Sequence, residues 1–209
     1  MRVNRTLVGA VAIAGAAFVI GQLAGPLAAP MAAAQDGGGQ EYSPDEIARM
    51  KAATPGRQHE VLERLVGKWQ GVIHMIMAPG GATMSAETTI TREWVLDKHF
   101  LREKIESDTE WGNFEGLGYL GYNNVDGQYE STWMENMATS INFSTGWFDP
   151  DREVLVLKGS HRDPSSGRVV SEWGELDLSS PGRQVYTGWS IDPDGRRYKN
   201  FEGEFDRVK

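Results

Sequence analysis

The 209-residue sequence predicts an all-β fold: a ten-stranded antiparallel up-and-down β-barrel preceded by two short helices. Three observations predict it. The apolar period changes from 3.6 to 2 at Trp69. Nine turn signals follow, too closely spaced for intervening helices, so successive strands pair as hairpins. Long strands in an even number can close edge to edge, which removes the exposed edges that invite aggregation.

Taken in order, residues 1–34 read as a signal peptide. Arg2 and Arg5 precede an apolar run from Leu7 to Leu23, and Ala32-Ala33-Ala34 supplies the small side chains of a cleavage site. The run is shorter than the about 20 residues that span a bilayer. Residues 35–53 form a flexible leader and a short helix. Gly37-Gly38-Gly39 gives the flexibility, and Ser43-Pro44-Asp45-Glu46 combines a capping serine, a proline at the first helical position and a glutamate three residues after the cap. The barrel domain is expected over 54–209. Thr54-Pro55 starts a second helix with Val61, Leu62 and Leu65 on one face, and Gly67 stops it.

The turns fall at Pro79-Gly80-Gly81, Asp97-Lys98, 110–112, 123–127, 136–139, Asp149-Pro150-Asp151, 163–167, Ser180-Pro181-Gly182 and 192–195. In the first strand Gly67, Trp69, Gly71, Ile73, Met75 and Met77 form the inward set. Gly67 and Gly71 flank Trp69, which leaves room for an indole to plug the barrel floor beneath the helix. Ten strands enclose more space than the eight that already hold one small ligand.

Composition excludes several classes. Without residues 1–34 the chain keeps 19 basic and 29 acidic residues, a net charge of −10. Nucleic acid and anionic membrane surfaces are therefore not expected as partners. The absence of cysteine removes disulfides, thiolate chemistry and Cys-bound zinc. An exported protein, periplasmic or secreted, with no stable membrane insertion after signal cleavage is expected. An outer-membrane barrel fails because "REKIE" puts Arg102 and Lys104 on one face and Glu103 on the other, so neither face is a continuous apolar band.

Several separated stretches resemble one bacterial family. His59-Glu60-x-Leu62-x-x-Leu65-Val66-Gly67-x-Trp69, Pro79-Gly80, "FEGLGYLGYN" (114–123), "GQYESTWMENMATS" (127–140) and "DPSSGR" (163–168) are similar to the domain-of-unknown-function family numbered 1579. The Gly-x-Trp opening resembles that of lipocalin and related calycin barrels. The resemblance implies a calycin-like barrel, commonly exported, and carries no established activity. Asn123 and Glu135 stand where the family pattern has aspartate, and "VLDKHFLREK" replaces a double-glycine stretch.

Candidate site residues are few. Gly116-x-Gly118-x-x-Gly121 spells a dinucleotide fingerprint but is followed by a turn and a strand, so the glycines read as strand positions where a neighbour packs closely. His59, His74, His99 and His161 show no metal spacing, so no metal or other cofactor is expected. Arg102, Tyr119, Trp133 and Glu135, if inward, would form an aromatic wall with an arginine and a carboxylate; on the outer face they would be a surface network. With Trp69 and Met75 they are the expected ligand-binding residues; no catalytic residue is assigned. The leading expectation is a binder of a small apolar or amphipathic molecule inside the barrel. The alternatives are a cavity hydrolase or isomerase using Glu135 with His99 or Arg102, and an envelope protein-interaction module.

Overall fold

Two helices and ten strands are present in the computed structural model, which describes residues 41–208 apart from 77, 78, 111, 164, 165 and 193. The expected signal peptide, the glycine-rich part of the leader and Met77 lie outside the described residues. The helices are α1 (Pro44–Ala52) and α2 (Arg57–Glu63). The strands are β1 (Gly67–Ile76), β2 (Thr83–Val95), β3 (Phe100–Thr109), β4 (Gly112–Asn123), β5 (Gln128–Glu135), β6 (Asn142–Asp149), β7 (Val154–Arg162), β8 (Val169–Ser180), β9 (Arg183–Ile191) and β10 (Arg197–Val208). Each strand pairs antiparallel with its sequence neighbours, and β1 pairs with β10 to close the ring. All nine expected turns separate the ten strands where the sequence puts them.

α1 starts as its sequence dictates. The Ser43 hydroxyl accepts from the Glu46 amide, and Glu46 accepts from the Ser43 amide. Those bonds hold the Glu46 carboxyl below the usual range. α2 differs from expectation at its start. Thr54 serves the preceding helix, donating its hydroxyl to the Met50 carbonyl at 2.7 Å, and α2 opens later, at Gly56. There His59 takes the reach-back role, its Nδ1 accepting from the Gly56 amide at 3.1 Å. His59 is buried, and that burial lowers its pKa.

α2 closes one end of the barrel. Leu62 and Leu65 sit fully buried in a cluster with Leu101, Tyr129, Leu155, Leu176 and Leu178 from four strands. Trp69 is equally buried, beside Ile90 and Phe205, and donates its Nε1 to the Leu65 carbonyl at 2.9 Å. The cork is thus α2 and the indole together. The glycines flanking Trp69 act differently from the expectation that they clear space for its ring. Gly67 adopts a positive φ of 124°, a conformation that favours glycine. At Gly71 an added Cβ would lie 1.8 Å from the Glu204 carbonyl oxygen of β10. Gly71 lets the first and last strands meet at the closing seam.

Buried polar groups at this end are satisfied. The Arg92 guanidinium pairs with Glu103 and donates to Gln184 Oε1 at 2.9 Å, while Gln184 Nε2 donates to the Arg64 carbonyl at 3.3 Å. The Tyr129 hydroxyl donates to the Gln58 carbonyl at 2.9 Å, and burial pushes its pKa up. A buried charge needs such partners.

Candidate ligand site in the barrel lumen

Strand alternation and register define the inward surface. Buried Leu101 and Tyr129 fix the inward phase of β3 and β5, and the ladder carries it around the ring through Leu101↔Leu120, Tyr122↔Tyr129, Leu155↔Leu176 and Leu176↔Tyr186. Toward the end opposite α2, the inward positions are Met75, Met84, Phe114, Trp133, Glu135, Asn142, Ser144, His161, Glu172, Ser190 and Phe201.

The four-residue constellation expected from sequence does not share a face. Trp133 and Glu135 point inward with Tyr129, and Trp133 Nε1 donates to Glu135 Oε2 at 3.1 Å. Arg102 and Tyr119 are register partners on the outer face, 48% exposed in the side chain and 39% exposed respectively, and Arg102 pairs there with Glu93. One residue decides it: Arg102 follows the inward Leu101, so a period of 2 turns it outward. Met75 is inward in the open half, and Trp69 belongs to the closed end. His99 is not in the lumen. Its Nδ1 and Nε2 lie 2.6 and 2.8 Å from the Leu96 and Ala53 carbonyls, bracing a turn in which Leu96, Asp97 and Lys98 all have positive φ. The hydrogen bond to the Ala53 carbonyl, above all, raises the His99 pKa. The geometry therefore separates Glu135 from both Arg102 and His99.

A different polar group occupies the open half. Glu172 on β8 receives Asn200 Nδ2 at 3.1 Å and the Ser190 hydroxyl at 3.2 Å on one oxygen, and lies 3.2 Å from His161 Nδ1 with the other. The Glu172 bond raises the His161 pKa, with Asp163 and Glu135 adding to the effect. A bulge between Lys199 and Phe201 makes this possible, because the extra residue lets both Asn200 and Phe201 reach inward. Asn200 Oδ1 is buried without a hydrogen-bond partner. Ser190 donates to the carboxylate rather than to the histidine, so the trio is not a nucleophile relay.

Aromatic rings line the wall instead of crossing the lumen. A Cβ at Gly116 would lie 2.3 Å from the Trp133 ring, and one at Gly118 3.2 Å from it. Tyr186 covers Gly174 and Phe201 covers Gly188 in the same way. Phe114 stacks near Trp133 at 6.5 Å and 24°, and Tyr186 meets Phe201 edge-on at 4.4 Å. The glycine spacing read as close packing in β4 is this seat for the indole. Burial also pushes the Tyr186 hydroxyl pKa up.

His161, Glu172 and the bulged Asn200 are the site residues that sequence reasoning missed. A period-2 signal existed for the first two: His161 alternates with Leu155 and Leu157, and Glu172 with Leu176 and Leu178. A second concave region lies along β1 to β4. It is an open trough of about 740 Å³, carrying the outward Glu87, Glu106, Asp108 and Glu115 and reaching Thr88, Ser107 and Phe114 of the inward phase. Lys104 bridges Glu106 and Glu115 there. The trough is open and mixed in polarity, with Phe114 as the one aromatic ring among its lining residues, so it lacks the enclosing aromatic faces typical of small-molecule sites.

A closed antiparallel ring, corked at one end by a helix and lined toward the other by aromatic and polar side chains, defines a calycin-like barrel. The chain belongs to the family described as a protein of unknown function, DUF1579, whose model matches residues 54–207. Among solved structures it is similar to Rv2717c from M. tuberculosis, with 15% identity and a TM-score of 0.53 over 75% of this chain and 100% of that one. It is also similar to the S-type phycobiliprotein lyase CPES from Guillardia theta, with 11% identity and a TM-score of 0.52 over 77% of this chain and 97% of that one. At such identity the likeness is one of fold. No curated protein matches the sequence.

Proposed function

We propose that the protein binds a small apolar or amphipathic molecule in the open half of the lumen. One observation carries this reading: residues that the register turns inward keep solvent-accessible surface. The His161 and Glu172 side chains are 29% and 38% exposed although both face the barrel axis. Inward groups stay wet only if the space before them is open. The flat-lying Trp133 and Phe201 offer ring faces to that space, and Glu135, Glu172 and His161 offer fixed polar atoms, the mixture that orients a ligand. Similarity in fold to a phycobiliprotein lyase supports the reading without naming a ligand.

The pattern of residues 1–34 supports export to the periplasm or beyond, with cleavage after Ala34. No helix among the described residues is long and apolar enough to cross a membrane.

The test is extraction of small molecules from protein purified natively from its own cells, beside a Ser144→Trp variant that places an indole at an inward position of β6. Mass spectrometry is expected to find a small molecule with the wild type and to lose it with the variant. Equal amounts in both, or none in either, would exclude lumen binding.

A further inference from the structure

The geometry points to a ligand whose apolar, planar body ends in a cationic or hydrogen-bond-donating head, an amphipathic amine rather than a fatty acid or other carboxylate. The inference rests on the lumen reading above and adds the sign of the head group.

Charge decides it. The ionisable acid and base side chains at inward positions of the open half are Glu135, Glu172 and His161. No lysine or arginine takes such a position there among the described residues; Arg92 faces the closed end, where Glu103 and Gln184 engage it. Arg102, Lys104 and Lys199 are outside the ring, each paired with a surface carboxylate. Two carboxylates against one histidine leave the lumen with an excess of negative charge and of acceptors whenever His161 is protonated, and a larger excess when it is not. A carboxylate or phosphate head would meet this field with the wrong sign.

Hydrogen-bond inventory agrees. Glu172 accepts from Ser190 and Asn200 and pairs with His161, but among the described residues Glu135 accepts only from Trp133 Nε1, at one of its two oxygens. Among the described residues Asn200 Oδ1 has no hydrogen-bond donor. A carboxylate offers about four lone-pair sites, so the open half holds unmet demand for donors. An ammonium supplies three donors and no acceptor. The wall suits the remainder of such a molecule: Trp133 lies flat on Gly116 and Gly118, so its other face is turned to the lumen, where a planar body stacks or a cation meets the ring quadrupole.

The experiment compares three probes with one naphthalene body and an aminoethyl, hydroxyethyl or carboxymethyl arm, titrated calorimetrically into wild type and Glu135→Gln. Glutamine still accepts from Trp133 Nε1, so the variant loses charge without losing that bond. The aminoethyl probe is expected to bind the wild type at least ten-fold more tightly than the carboxymethyl probe, and Glu135→Gln to narrow that ratio several-fold while leaving the hydroxyethyl probe unchanged. Binding of the hydroxyethyl probe with no preference for the amine, or a ratio that Glu135→Gln leaves intact, would overturn the inference while leaving the lumen reading standing. Failure of all three probes to bind would remove both.

Discussion

Trp133 lies along the barrel wall because β4 carries glycine at the two positions beneath it. A side chain at either position would push a large ring into the hollow. The same arrangement at Gly174 and Gly188 widens the lumen without shortening any strand. Near these rings the His161–Glu172 pair carries a pH dependence whose sign is fixed. Its hydrogen bond to Glu172 raises the His161 pKa above the ordinary value of about 6.5. The stability it contributes is therefore fully present below about pH 6.5 and lost as pH rises through the raised folded value. Both partners are partly exposed, so the effect is under about 1 kcal/mol. In thermal melts from pH 5.5 to 8.5, wild type is expected to lose more Tm than His161→Gln. His99, also raised, affects both proteins alike. Parallel curves would mean that the pair contributes nothing.

Among the elements, α1 is attached rather than packed. It buries no residue, and its C-terminal end is held by side chains from the barrel. Asn124 Nδ2 donates to the Ala52 and Thr54 carbonyls at 3.0 and 2.9 Å, and His99 lies 2.8 Å from the Ala53 carbonyl. Net worth of such bonds is about 1 kcal/mol each. Asn124→Ala is expected to speed amide exchange in residues 47–53 by about ten-fold or more, with little change in global Tm. Exchange unchanged in α1, or a large fall in Tm, would show that the helix is secured otherwise. α2 differs because its Leu62, with Leu65 in the turn that follows, enters the core, and the sequence shows why: the two leucines are spaced for one helical face.

At the scale of the molecule, closure makes the barrel a single cooperative body, with every strand hydrogen-bonded on both sides. The cork is its most sensitive point. Leu62 is fully buried among Leu65 and residues from four strands, so Leu62→Ala removes a side chain that nothing can replace. Urea unfolding is expected to show one transition with stability reduced by about 2–5 kcal/mol and an unchanged slope. A loss below 1 kcal/mol would mean that α2 is peripheral to the core.

Strand number, turns, meander order and the capped first helix were legible in the sequence, because each follows from contacts between residues near in the chain: an alternation, a turn dipeptide, a capping serine. Half of the expected constellation was legible too, since Trp133 and Glu135 share a phase with Tyr129. The assignment of Arg102 and Tyr119 to that group needed the phase of two other strands, which depends on how the ladder is joined around the ring. The meeting of His161, Glu172, Ser190 and Asn200, by contrast, came from the folded ladder alone. They come from four consecutive strands, and the spacing along the chain does not encode which inward positions the registers of β7 to β10 and the bulge at Asn200 bring together.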